Sequence, residues 1–177
     1  MTSDRWDVLW RYFAGLTEQT FEGELGIVDP PLVDYVSGLL TRFIRTETVY
    51  RMRNPSGNRL SGVADMLTEA NARVGEARRE AHRFIGDFTL FWTGVYPEAL
   101  GALQSETRKD HLLDYRAEGK RAYHVASQIP ANEEIVAGDV LERLSTQYEL
   151  CMYGLGEVRR EWEKSGDGDA GLICLDS

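Results

Sequence analysis

A chain of 177 residues fits one ordinary domain, and at that size it buries roughly 70% of its unfolded surface without a disulfide or metal staple. Its 29 acidic and 20 basic residues give a formal net charge of −9, which repels polyanions and makes nucleic acid and anionic membrane poor default partners. A hydrophobic share of 42% excludes a disordered chain, except toward the C-terminus.

The first predicted helix starts near Ser3, with Trp6, Leu9, Trp10 and Phe13 on one face, widened by Val8 and Tyr12. Gly15 and Thr17 are read as its end, and 17–28 as a short turn or helical piece. Asp29-Pro30-Pro31 is a strong start for the second helix. Asp accepts from orphan amides, and Pro fits a first turn that needs no N–H. Leu32, Val36, Leu39, Leu40, Phe43 and Ile44 supply its face, with an extension toward Met52 allowed. Turn chemistry over 54–58 interrupts it.

Ser61 is read as the start of a third helix, which continues through Phe84 and Phe88 either whole or broken at Gly75. Gly94 and Pro97 end that run, and a short helix over 97–103 follows. Ser105 is the candidate cap of a helix carrying Leu112, Tyr115, Tyr123 and Ala126, stopped at Ile129-Pro130. Asn132-Glu133-Glu134 places a cap and two acids at the next helix start. Ala137, Leu141, Leu144, Tyr148, Cys151, Leu155, Val158 and Trp162 then alternate spacings of 4 and 3, an unbroken heptad seam read as one helix. This seam faces either the protein's own core or a second chain. The predicted fold class is all-α: a single-domain bundle of about five to seven helices over 1–164, followed by a Gly/Asp-rich tail over 165–177.

Two cysteines, Cys151 and Cys174, make no disulfide framework and fit a reducing cytoplasm. The N-terminal sequence has no basic stretch followed by an apolar run, and the apolar stretch 84–97 is interrupted by Asp87 and too short to span a bilayer. The expected location is cytoplasmic, with no membrane partner.

His82, His111 and His124 lack zinc spacing, and none has a Glu three residues before it, so no metal and no cofactor is expected. His82 and His111 are read as surface residues, and His124 as partly buried. Asp87, Phe88, Trp92, Tyr123 and His124 form the candidate ligand pocket, although aromatics at helical spacing are usually core. A buried Asp87 needs a partner, with Arg83 or a Tyr hydroxyl as the natural choice. An outward, ordinary surface Asp87 is the favoured reading. Arg42, Arg45, Arg51, Arg53 and Arg59 fall within eighteen residues holding one acid, Glu47. Arg51, Arg53 and Arg59, near a helix opening at Ser61-Gly62, are the candidate anion-binding residues. The plainer reading is a solvated basic face. Leu172, Ile173, Cys174 and Leu175 form an apolar hook that, with Trp162, is the candidate partner-binding surface. Cys151 lies in the seam and reads as an inert thiol.

The stretch Gly86-Asp87-Phe88-Thr89-Leu90-Phe91-Trp92-Thr93-Gly94-Val95-Tyr96-Pro97-Glu98, together with 115–127 including Gly119, Ala122 and Tyr123, resembles segments of small α-helical bacterial proteins to which no function has been assigned. The resemblance covers about a third of the chain. It implies a bacterial origin and a helical fold, and carries over no activity and no site.

No catalytic constellation is visible. The function expected first is therefore a non-enzymatic interaction module, an accessory or regulatory subunit of a larger assembly or a homo-oligomer, with another protein as partner. A small-ligand sensor or enzyme with a pocket between helices is the second expectation. Phosphate or nucleic-acid binding through 42–59 is the third.

Overall fold

The computed structural model describes residues 2–44, 51–106, 108–132 and 136–165. The fold is all-α. Among the described residues there are eight α-helices: α1 (Thr2–Glu18), α2 (Pro30–Phe43), α3 (Val63–Ala72), α4 (Gly75–Val95), α5 (Leu100–Glu106), α6 (Tyr115–Gln128), α7 (Gly138–Thr146) and α8 (Tyr148–Lys164). A π-helical segment, Gln19–Glu24, continues α1, and a 3-10 turn, Pro97–Ala99, precedes α5.

The organising element is α4. From Ile85 to Tyr96 every residue is buried, so this stretch is covered on all sides. Helices α2, α3, α6 and α8 all pack on it. The α4–α6 contact is the most extensive, and two glycines permit it. A Cβ on Gly86 would lie 2.6 Å from the Tyr123 ring, and one on Gly119 would lie 2.2 Å from Thr89 Oγ1.

Helix α2 starts as its sequence requires. Asp29 accepts from the Leu32 amide at 3.3 Å, Pro30 and Pro31 occupy the first turn, and Leu32, Val36, Leu39, Leu40 and Phe43 are buried. Helix α1 runs through Gly15 instead of ending there, and its buried face is Phe13 and Thr17, while Val8 and Trp10 are 66% and 49% exposed. The wide π turn then buries Phe21 against Gly154, where a Cβ would come within 2.5 Å of the ring.

Two caps differ from the sequence expectation. Helix α3 is capped by Asp110, whose carboxylate accepts from the Val63 and Ala64 amides at 2.7 and 2.9 Å and also takes the Tyr115 hydroxyl. Asp114, not Ser105, caps α6, accepting from the Arg116 and Ala117 amides. Leu112, expected on that helix, sits in the preceding turn, 92% exposed. The break between α3 and α4 falls at Gly75, which takes a φ of +59°.

The heptad seam is buried as its spacing implies, but it is not one helix. Gln147, with φ −107° and ψ 24°, separates α7 from α8. Thr146 bonds back to the Arg143 carbonyl at 3.2 Å, and Ser145 reaches across to the Lys120 carbonyl at 2.8 Å. Back-bonding such as that of Thr146 bends helices. The kink lets α7 pack on α6 while α8 packs on α4 and α1. Leu141, Leu144, Tyr148, Cys151, Leu155 and Val158 are at most 1% exposed, so the seam faces the protein's own core. Among the described residues no helix is long and apolar enough to cross a membrane.

Candidate anion-binding site

Asp87 lies in the fully covered part of α4 and is 3% exposed, which corrects the surface reading. A carboxylate there must be neutralised and hydrogen-bonded, and the neighbouring helices supply both. Oδ1 accepts the hydroxyls of Tyr35 from α2 at 2.6 Å and Tyr123 from α6 at 2.7 Å. Oδ2 accepts from Arg42 of α2 at 3.2 Å, with Arg83 Nη1 at 3.7 Å. Arg83 Nη1 also donates to the Tyr35 hydroxyl at 3.3 Å, and Arg42 lies over the Tyr35 ring. Burial, then the Asp87 charge, raises the pKa of both tyrosines, so both stay protonated donors. Burial works against the charge on Arg83, but the Asp87 charge and the hydrogen bonds accepted by Glu80 and the Tyr35 hydroxyl outweigh it and raise its pKa.

Arg42, Arg83 and Asp87 of this cluster line a cleft of about 250 Å³. Five arginines line it: Arg42, Arg51, Arg53, Arg73 and Arg83. They face two carboxylates, Glu80 and Asp87, and apolar surface from Phe43, Met52, Ala81 and Phe84. The Phe43 and Phe84 rings stack at 6.0 Å. The site is therefore cationic within a protein of net charge −9.

A small hairpin delivers Arg51 and Arg53. Arg53 and Arg59 form an antiparallel bridge, Leu60 donates to the Met52 carbonyl at 2.9 Å, and the turn closes at Gly57 with φ +81°. Arg53 donates to the Gly57 carbonyl at 2.8 Å, and Arg73 is held by Glu69 at 2.9 Å and by the Arg53 carbonyl at 3.0 Å. Arg51 is exposed and has no ion-pair partner among the described residues.

Of the three arginines marked in the sequence for anion binding, Arg51 and Arg53 line the cleft, while Arg59 is exposed across the hairpin and does not. The helix opening after Ser61-Gly62 is not part of the site, because Asp110 already occupies the α3 N-terminus. Arg45 and Glu47 lie outside the described residues.

The five residues proposed as a ligand pocket separate. Asp87 and Tyr123 meet, and Asp87 lines the cleft. Phe88 and Trp92 are buried among aromatic rings, Phe88 near Tyr115 and Trp92 near Tyr96, and line no part of it. His124 is exposed and bonds Glu142 at 2.9 Å, which corrects the partly buried reading. Ser127 joins the same carboxylate at 2.8 Å, so its hydroxyl serves Glu142 and not the imidazole, and no nucleophile–base pair results. His82, read as a surface residue, is instead 3% exposed with both ring nitrogens unpartnered, and burial, then the Arg78 charge, lowers its pKa to about 4.

Trp162 packs edge-to-face on Phe13 at 5.5 Å and is 9% exposed, so it belongs to the core and not to a docking surface. Leu172, Ile173, Cys174 and Leu175 lie outside the described residues, as do the acids of 133–134. Among the described residues, no group of three or more His, Cys, Asp or Glu side chains is placed to hold a metal ion.

Sequence reasoning missed Arg73 and Glu80 as site residues. Their i,i+4 and i,i+3 ion pairs, with Glu69 and Arg83, look in sequence like ordinary helix-surface pairs. No family model matches the chain, and neither a curated protein nor a solved structure matches it.

Proposed function

We propose that this protein is a non-catalytic binding module that takes a small anion, or one anionic group of a larger partner, in the arginine-lined cleft between α2, the hairpin and α4. The supporting observation is the convergence of five arginines on two carboxylates in one cleft of an acidic protein. A solvated basic face would not draw residues from four separate segments around a common volume. Guanidinium groups suit forked recognition of carboxylate or phosphate, and the walls offer apolar contact for a ligand's body.

At about 250 Å³ the cleft is smaller than most drug-sized pockets. It suits one anionic head with a short body, and not a nucleic-acid strand, which needs a groove that follows many phosphates. The accessory-subunit reading survives in the same chemistry, with a partner's acidic side chain or terminal carboxylate as the anion.

Calorimetric titration of the full chain with inorganic phosphate and small carboxylates, at two salt concentrations, tests the proposal. Saturable binding that weakens with salt and is lost in Arg51→Ala combined with Arg83→Lys supports it. Binding that ignores both substitutions places the anion elsewhere and defeats it.

A further inference from the structure

Arg83 divides its guanidinium between two settings. Its Nη1 faces inward to the Tyr35 hydroxyl at 3.3 Å and Asp87 at 3.7 Å. Its Nε and Nη2 form an outward fork, occupied by Glu80: Nε lies 3.2 and 3.1 Å from the two carboxylate oxygens, and Nη2 lies 2.6 Å from Oε2. The inner contacts hold the guanidinium plane in place, and the outer edge already displays a forked carboxylate contact within the cleft.

Glu80 is a solvent-accessible occupant. Its side chain is 44% exposed, whereas that of Arg83 is 16% exposed. It comes from the same helix three residues away, and a second basic neighbour, Arg79 Nη1, is 4.0 Å distant. Water reaches the Glu80 carboxylate, which discounts the contribution of the pair and leaves the fork open to exchange with a second carboxylate. Phe84 is the next residue along α4 and stacks on Phe43, so apolar surface adjoins the fork.

We infer that the cleft's ligand is a planar monocarboxylate with a short apolar or aromatic body, whose carboxylate replaces Glu80 on the outer fork of Arg83. This rests on the anion-binding reading above and narrows it. A phosphate dianion fits less well, because Asp87 stays fixed within the cleft and Glu80 remains close by, and each repels a second negative charge. Arg51, exposed and without an ion-pair partner among the described residues, supplies a further contact in the cleft.

The test is calorimetric titration of the full chain and its variants with 3-phenylpropionate, hexanoate, inorganic phosphate and the N-acetylphenylalanine carboxylate and amide pair. Removing the resident carboxylate by Glu80→Gln is expected to tighten 3-phenylpropionate by about two- to fivefold, the reciprocal of a half-exposed ion pair discounted for solvent. Arg83→Lys keeps the charge but removes the fork, and is expected to weaken it by about tenfold or more. If Arg83→Lys fails to fold, Glu80→Gln at its exposed position decides alone. Binding of N-acetylphenylalanine but not its amide, without binding of the free acids, assigns the carboxylate to a peptide terminus. Unchanged or weaker carboxylate binding in Glu80→Gln overturns the inference, as does a preference for phosphate, and either result leaves the anion-binding proposal standing. Failure of every anion to bind overturns both.

Discussion

Replacing Asp87 with alanine removes the acceptor that joins α2, α4 and α6. Two phenols donate to one of its oxygens at 2.6 and 2.7 Å, and Arg42 donates to the other at 3.2 Å. Hydrogen bonds to a charged group contribute about 1.5–3 kcal/mol each, but these share an acceptor and do not add. Breaking a buried ion pair from one side costs about 3–5 kcal/mol. Relief is available to Arg42, whose side chain is 38% exposed, and to Arg83, which keeps Glu80. Little is available to Tyr123, which is 0% exposed. The lower end of that range follows, about 3 kcal/mol for Asp87→Ala, and about 2 kcal/mol for Asp87→Asn, which keeps one acceptor oxygen. A domain stable by about 5–15 kcal/mol loses a large share of its margin to the alanine. Urea unfolding followed by circular dichroism at neutral pH measures it, with an unchanged m-value as the check on two-state behaviour. Tyr35→Phe should also cost less in the Asp87→Asn background than in the wild type. A loss below about 1 kcal/mol for Asp87→Ala, or strict additivity in the double mutant, refutes the reasoning.

Acid sensitivity is expected from His82. Its folded pKa is lowered to about 4, so it stays neutral in the fold while the unfolded chain takes up a proton near 6.5. Its contribution is complete above pH 6.5 and is lost as pH falls toward about 4, a change of up to about 3 kcal/mol, and His82→Leu should flatten the stability–pH curve in that window. Gly86→Ala drives a methyl group into the Tyr123 ring and should cost about 1–3 kcal/mol by chemical denaturation. Burial raises the Cys151 thiol to about 12, so mapped alkylation should label it only after unfolding. Asp110→Ala strips the α3 cap and removes the acceptor of the Tyr115 hydroxyl bond, and a loss of about 1–2 kcal/mol in the same denaturation assay is expected.

What the sequence discloses here is mostly local. The cap bond from Asp29 to the Leu32 amide and the prolines after it lie within one turn, and α2 forms where they indicate. The seam from Ala137 to Trp162 fixes a buried face by spacing, but the kink at Gln147 is accompanied by a bond from Ser145 to Lys120 on another helix, which spacing does not record. Asp110 caps a helix that begins 47 residues earlier in the chain, and nothing near Val63 announces it. His82 and His124 exchange expected environments: on the N-terminal half of α4 Arg79 and His82 are buried while Glu76 and Ala77 are exposed, and on α6 His124 is exposed beside the buried Tyr123, a difference set by packing and not by local sequence. Asp87 shows the limit well. Its partner types, an arginine and a tyrosine hydroxyl, follow from the chemistry of a buried carboxylate, but its burial does not follow from its neighbours in sequence. The cleft is legible in half: Arg51 and Arg53 stand in a conspicuous basic segment, while Arg73, Glu80 and Arg83 join them only through the packing of α3 and α4.

The anion-binding claim is most directly tested by following arginine side-chain Nε–Hε resonances during titration of the isotopically labelled full chain with 3-phenylpropionate. Saturating shifts confined to the cleft arginines, largest at Arg83 and Arg51, are the predicted result. No saturable shift up to about 10 mM ligand, or shifts centred on arginines outside the cleft such as Arg116 and Arg121, would contradict it.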